Sequence, residues 1–414
     1  MIVLCKYYRV IVDWLIENDI DFCLAIDKYD KQAFYASDVA HVPAHVFEVS
    51  TFDSVESICW LANSLENKGI KITRILSAGE LAQYGAGLLQ TMTGAEGITL
   101  DLANNTRDKR RMKSLLASHD IRCARFADVT SVEEIESMPR RLNFPVVAKP
   151  VNGFGSMNTM RIDSPAELSD FYRDFRAQHP YINPFMMCEE FIDSDEYVVD
   201  AVWKDGRPIV FSISKYLIPQ MRNNDPGRVY TGATHLNRLD HARFYERMLA
   251  LHRRVNVALG IDNCATHTEF FVTNDGEPII SEVASRVGGC WFNELTRDVY
   301  GKSLQDIHLS THVLDIDRDP YLECDSRSHT TISWTAQKPG RIKAFPTRAY
   351  WADIPHMEGI VPRKGIGDPV SGRQWSDYIF YAHFAGIPAD VNRAIETFAA
   401  RFERDIDQFI EPAS

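Results

Sequence analysis

The segment HTEFFVTNDGEPIISEVASRVGG, residues 267–289, sets two apolar runs on either side of Asp275-Gly276, a dipeptide that favours the two-residue turn of a β-hairpin. That turn puts Glu269 directly opposite Glu282 and His267 opposite Ala284, and Arg286 follows on the same face because strand side chains alternate. Facing residues of an antiparallel pair have Cβ atoms about 4.5–5.5 Å apart, where like charges repel. Two readings are open: solvated glutamates on an open face, or ligands of a hard divalent cation. Magnesium is commonly held by one or two carboxylates together with substrate phosphates, and the apolar strands around both acids favour this second reading. Pro278 denies its strand one ladder hydrogen bond, so that strand is expected at an edge or offset in register.

Upstream, FPVVAKPVNGFGSMNTM at 144–160 ends a β-rich run on Lys149 and passes into a loop with Gly153 and Gly155. Alone it is equally an ordinary turn whose lysine reaches for water. Ser131-Val-Glu-Glu134 and Ser164-Pro-Ala-Glu167 are capping boxes, the second with proline at the first helical position. Helices therefore start near 132 and 165 and leave strand, glycine loop and strand between them. NNTRDKRRMKSLLASHDI at 104–121 gathers Arg107, Lys109, Arg110, Arg111 and Lys113 at a helix start, either as a solvated face or as a local anion site. MMCEEFIDSDEYVVDAVWKDGRPIVFSISK at 186–215 reads as three strands. Its Asp205-Gly206 turn places Glu196 opposite Lys215, unless a bulge shifts the register. FYERMLALHRRVNVAL, closed by Gly260, is a packing helix. In order, then, come a lysine opening a helix (Lys109), a lysine ending a strand (Lys149), a glycine loop and paired glutamates. Lysines neutralise polyphosphate, glycine amides approach it closely and a divalent cation bridges its oxygens. The set points to a nucleoside triphosphate.

Residues 1–103 alternate short apolar runs with amphipathic stretches, the rhythm of a βαβ domain with a parallel sheet. Gly85-Ala-Gly87 follows a helical stretch and lacks a third glycine, so it is no dinucleotide loop, and no GxxxxGK[ST] motif occurs. The 414 residues carry a net charge of -12, which disfavours general nucleic-acid or anionic-membrane binding. The cysteines at 5, 23, 59, 123, 188, 264, 290 and 324 form no CxxC pair and read as reduced core thiols of a cytoplasmic protein. No apolar run approaches the roughly 20 residues of a membrane helix.

FPVVAKPVNGFGS, CEEFIDSDEYVVD, HTEFFV and ISEVASRVGG, in this order and spacing, resemble the ATP-grasp superfamily over about residues 75–300, and Pro339-Gly340-Arg341-Ile342 resembles the start of a C-terminal domain found in many members. The resemblance implies an α/β and α+β architecture: an N-terminal Rossmann-like βαβ domain (1–103), an ATP-grasp core (104–330) with a β-hairpin lid subdomain at about 120–188, and a C-terminal α+β domain (331–414). It implies that Lys109 and Lys149 touch the ATP phosphates beneath a lid formed by Gly153, Gly155 and Ser156. Glu189, Glu190, Phe191 and Ile192 become the hinge at the adenine edge, Glu196 a ribose contact and Lys215 a further basic group aimed at the nucleotide. Glu269 and Glu282 become magnesium ligands, and Arg286 steadies an acylphosphate or substrate carboxylate. The amides of Gly288 and Gly289 are candidate oxyanion donors. Many members carry asparagine where this chain has Ala284, and His267, cross-strand from it, is expected to fill that space as a phosphate or substrate contact, or else to be a packed histidine.

The resemblance is strongest to L-amino-acid ligases and related carboxylate-amine ligases. It implies ATP-dependent activation of a small-molecule carboxylate as an acylphosphate and its capture by an amine such as an amino acid, with ATP and Mg2+ as cofactors. A ligase that loads an amino acid onto a carrier protein or another amine, and a non-catalytic ATP-binding module, stay open. Trp334, Tyr350-Trp351 and Trp375 read as core or as pocket lining. The final apolar stripe, at 391, 395, 398, 402, 406 and 409, packs on its own sheet or on a second subunit, which leaves a homodimer open. Arg222, Asn223 and Asn224, before Pro226-Gly227, read as a polar loop that orders over substrate.

Overall fold

The structure, a computed structural model, describes the chain except for residues 78, 179–184, 225–226, 317–326, 373–376 and 414 and the side chains of Asn223 and Asn224. Cys324, Trp375 and Pro226 lie outside the described residues.

The first runs, IVLC and FCLAI, become β1 (Ile2–Cys5) and β2 (Phe22–Ile26), joined by β3 (His45–Glu48) and β4 (Arg74–Ser77) in a parallel sheet of order β3-β2-β1-β4. They are continuously apolar because helices cover both faces: Leu61, Leu65, Ala86 and Leu89 pack on one, Ile11, Leu15, Phe34 and Leu309 on the other. Strand order reverses between β1 and β4, which opens a crevice at their carboxyl ends. The residues following these strands there are Lys6–Tyr8 and Gly79-Glu80.

The second sheet is antiparallel, of order β5-β8-β6-β7, built from β5 (Phe126–Val129), β6 (Val146–Pro150), β7 (Met160–Ile162) and β8 (Met186–Glu190). Its helices start at Val132 and Pro165, with the hydroxyls of Ser131 and Ser164 accepting from the amides of Glu134 and Glu167. The return bond of each box goes to the amide one residue earlier, Thr130 or Asp163. Strand, glycine loop and strand lie between the helices as the capping residues require.

The large sheet has the order β13-β12-β9-β10-β11-β14-β18-β16 and is antiparallel throughout. Its strands are β9 (Asp195–Lys204), β10 (Arg207–Tyr216), β11 (Tyr230–His235), β12 (Ala265–Val272), β13 (Pro278–Ala284), β14 (Ser328–Thr335), β16 (Met357–Pro362) and β18 (Tyr378–Gly386). A small sheet of β15 (Gly340–Ile342), β17 (Pro369–Val370) and β19 (Ile410–Pro412) adjoins it. Pro278 sits on the edge strand β13, where its missing N–H costs no ladder bond. The helix Ala242–Leu259 covers one face of the sheet through Tyr245, Met248 and Val255, against Val199, Trp203 and Phe270.

Of the C-terminal aromatics, Trp334 is core, and Tyr350 and Trp351 are half-buried against it. Trp334 stacks on Tyr230 and Phe380, and Tyr350 meets Phe409 edge-on. The helix Pro388–Arg404 buries Val391, Ile395, Phe398 and Phe402 against this chain's own strands, which resolves the choice between its own sheet and a second subunit. No helix among the described residues is long and apolar enough to cross a membrane.

Gly85 and Gly87 serve packing. They lie in the helix Gln83–Thr93, where a Cβ on Gly85 would meet the Phe52 carbonyl at 2.6 Å and one on Gly87 the Leu100 Cα at 2.8 Å. Gly87→Ala gains about 1 kcal/mol of helix propensity. It loses about 1–3 kcal/mol to overpacking against backbone that cannot swing aside. Net destabilisation is expected, read as a lower urea midpoint at unchanged slope; a raised midpoint would contradict the packing role.

Candidate active site

Glu269 and Glu282 stand opposite one another on β12 and β13, and His267 stands opposite Ala284. The route to this register differs from the sequence reading. The turn has three residues, Asn274 to Gly276, with Gly276 left-handed at φ +82°, which shifts the pairing by one. A bulge that leaves Ser281 unpaired shifts it back before Glu282. Both acids keep about a quarter of their side chains exposed, 25% and 24%, so solutes can reach them.

The charge between them is compensated from three directions. Lys109, first residue of the helix Lys109–Ser118, sets its ammonium 3.0 Å from Glu282 and donates to the Gly153 carbonyl at 2.6 Å. Tyr216 donates its hydroxyl to Glu269 at 3.0 Å. His267 lies 2.8 Å from Asp200 through Nδ1 and 3.5 Å from Glu269 through Nε2. The imidazole thus faces Glu269. Burial disfavours its cation, but Asp200 and Glu269 outweigh burial and lift it to about 9. Gly288 makes room for this pair: a Cβ there would lie 2.5 Å from Asp200 and 2.6 Å from His267. At Gly289 an added Cβ would meet open space.

Beneath the glycine loop, Lys149 is buried and donates to Glu189 at 2.5 Å. Burial alone would raise the Glu189 carboxyl, but Lys113 and Lys149 pull it down to about 2. Gly155 and Ser156 both adopt left-handed backbone, at φ +59° and +52°. At the end of β8, Glu190 accepts from the Arg125 amide, and Phe191 beyond it lies under the Arg161 guanidinium at 4.7 Å; Ile192 follows. Glu196 is buried and accepts from the Gln220 amide at 2.6 Å; burial and then Glu269 push its carboxyl up to about 8.

Lys215 corrects the sequence reading. The Asp205-Gly206 turn has two residues, but a bulge at Ile209 shifts the pairing, so Lys215 stands opposite Tyr197. A one-residue shift moves a side chain to the other face. Lys215 accordingly lies over the Tyr197 ring and pairs with Asp195 at 2.6 Å, away from Glu196 and the acids.

Three residues, Glu80, Asp200 and Tyr216, escaped the sequence reading as site groups. Glu80, from the N-terminal crevice, is buried between Arg107, at 2.7 Å, and Arg286, and Arg107 also donates to the Asn152 carbonyl. Asp200 and Tyr216 orient His267 and Glu269. Only Asp200, an acid inside the apolar run YVVDAVW, carried a local signal.

Among the described residues no group of three or more His, Cys, Asp or Glu side chains converges as a complete metal site. Two accessible carboxylates nevertheless suit a hard cation whose other ligands are phosphate oxygens and water.

Residues 142–294 match the model of the ATP-grasp domain family, a stretch that runs from β6 to beyond β13 and contains both glutamates. The chain is 27% identical over 350 residues to the L-arginine-specific L-amino acid ligase of Bacillus subtilis, covering 83% of this chain and 82% of that one. It is 22% identical over 308 residues to the alanine-anticapsin ligase of Bacillus subtilis (strain 168), covering 66% and 63%. In fold it resembles the crystal structure of an L-amino acid ligase from Bacillus licheniformis, with a TM-score of 0.72 at 15% identity over 100% of this chain and 98% of that one.

The depressed carboxyls give a pH prediction. Burial raises the Glu80 carboxyl, but Arg286 and Arg107 outweigh it and bring it to about 2, against an ordinary 4.5; Glu189 behaves alike. Between these values the unfolded chain binds more protons, so the stability these two carboxylates contribute is fully present above about pH 4.5 and is lost as pH falls towards 2. Urea midpoints across this range should fall with pH, and Glu80→Gln should flatten the slope by about one proton. An identical slope in the variant would contradict the ionised pair.

Proposed function

We propose that the protein is an ATP-dependent ligase that joins a carboxylate to an amine, both supplied by amino acids, giving a dipeptide or amide with ADP and phosphate. One observation carries this reading: Lys109 contacts both the glycine-loop carbonyl and Glu282, beside Glu269. A single cation thus ties a phosphate-approaching loop to a pair of hard-oxygen ligands. The amino-acid ligases among its relatives support amino acids as the substrate class.

Condensing a carboxylate with an amine is uphill in water, so the carboxylate oxygen must first take the terminal phosphoryl group of ATP, releasing ADP and forming an acylphosphate. Lys109 and Lys149 neutralise the phosphates and hold them in line under the loop of Gly153, Gly155 and Ser156. Glu189 to Ile192 offer backbone to the adenine and Glu196 a polar contact to the ribose. Glu269 and Glu282 would hold magnesium, which when bound would supply charge neutralisation at the phosphate oxygens. Arg286, fixed by Glu80, steadies the substrate carboxylate. When the amine attacks the acyl carbon, phosphate leaves, and Arg286 with the amides of Gly288 and Gly289 stabilises the oxyanion. His267, held between Asp200 and Glu269, adds a donor beside them.

Incubation with ATP, magnesium and pooled amino acids should release phosphate in proportion to an amino-acid product seen by mass spectrometry. Glu282→Ala should lower that rate by at least about 100-fold with the melting temperature kept. Absence of amino-acid-dependent phosphate from the wild type in every pool would overturn the ligase reading, and wild-type rates from the variant would overturn the metal assignment.

A further inference from the structure

The helix Lys109–Ser118 presents two lysines one turn apart, and each spans the same two parts of the molecule. Lys109 reaches the Gly153 carbonyl and Glu282. Lys113 forms an ion pair with Glu189 on β8 at 3.0 Å and donates to the Ser281 carbonyl on β13 at 3.0 Å. Lysines are almost never fully buried unless paired, yet Lys113 has 0% of its side chain exposed. Packing does not call for a charge here, since a buried ion pair is often replaced by apolar side chains of similar volume at no loss of stability.

What the charge does is connect. Ser281 is the residue that the bulge leaves unpaired, one position before Glu282, and its carbonyl is the acceptor for Lys113. Glu189 is held through one carboxylate oxygen by Lys113 and through the other by Lys149 at 2.5 Å. A continuous polar chain therefore runs from Ser281 through Lys113 and Glu189 to Lys149, from the strand of the acids to the lysine beneath the glycine loop. We infer that Lys113 is a positioning residue that sets Lys149, through Glu189, and the Glu282 bulge, through Ser281, at a fixed separation matched to one nucleotide. This inference rests on the ligase reading.

Lys113→Met keeps the volume and removes the link. Glu189→Gln, alone and combined with it, breaks the same link at its other member and supplies further variants should Lys113→Met fail to fold. Each folded variant should lose about 100-fold in kcat, the scale expected of a misplaced group, and gain about 10-fold in KM for ATP. KM for the amino acids should stay unchanged. The two substitutions lie on one chain, so their losses should not add. A folded Lys113→Met or double variant with wild-type kcat and KM for ATP would overturn the inference, as would fully additive losses. Calorimetric titration with a magnesium complex of a non-hydrolysable ATP analogue separates this from failure of the ligase reading. A wild type that binds the analogue without amino-acid-dependent turnover defeats only the ligase reading, and weakened or unchanged binding by the variants then decides the role of Lys113. A wild type that binds no nucleotide overturns both.

Discussion

Two carboxylates held at one register position of neighbouring strands are the constraint around which this molecule is organised. At that separation Glu269 and Glu282 repel, and partial burial strengthens the repulsion by lowering the local dielectric. The surrounding structure answers with donors and cations: Lys109 on Glu282, Tyr216 and His267 on Glu269, and Asp200 behind His267. Each comes from a different element, so the site exists only when the large sheet, the helix at Lys109 and the residues after β13 are all in place.

The same constraint orders the faces of the large sheet. On β9, Tyr197 and Val199 enter the core under the helix Ala242–Leu259, while Glu196, Val198 and Asp200 alternate onto the side of the acids. Period-two alternation gives an apolar support and a polar working surface from one strand. The N-terminal sheet adds its own group at the point where strand order reverses. Glu80 pins Arg286 across 206 residues of sequence, and Arg107 reaches from the same acid to the carbonyl of Asn152 at the foot of the glycine loop.

How far the sequence discloses this is clearest in two Asp-Gly hairpins. At Asp275-Gly276 the inferred turn is one residue too short and the bulge at Ser281 is unforeseen, yet the two deviations cancel and the glutamates face each other as read. At Asp205-Gly206 the turn is right, with both residues left-handed at φ 50° and 68°, but the bulge at Ile209 has nothing to cancel it and Lys215 moves to the far face. Turn chemistry is local and legible, whereas a bulge answers to packing and to acceptors elsewhere in the fold. The same distinction separates the capping serines at 131 and 164, readable from four residues, from Glu80, whose significance lies in two arginines distant in sequence.

The charge pattern also bears on why nucleotide and divalent cation belong together under the ligase reading. Lys109 is shared between Glu282 and the Gly153 carbonyl, and Lys149 is held by Glu189. A polyphosphate that draws Lys109 towards itself leaves Glu282 facing Glu269 with less compensation, which raises the affinity of the pair for a divalent cation. A cation at the pair in turn releases Lys109 for phosphate. Neither ligand alone restores the balance of the site, and by linkage each strengthens the binding of the other to the same degree. Under that reading the repulsion between the two acids would favour loading of the nucleotide as its metal complex.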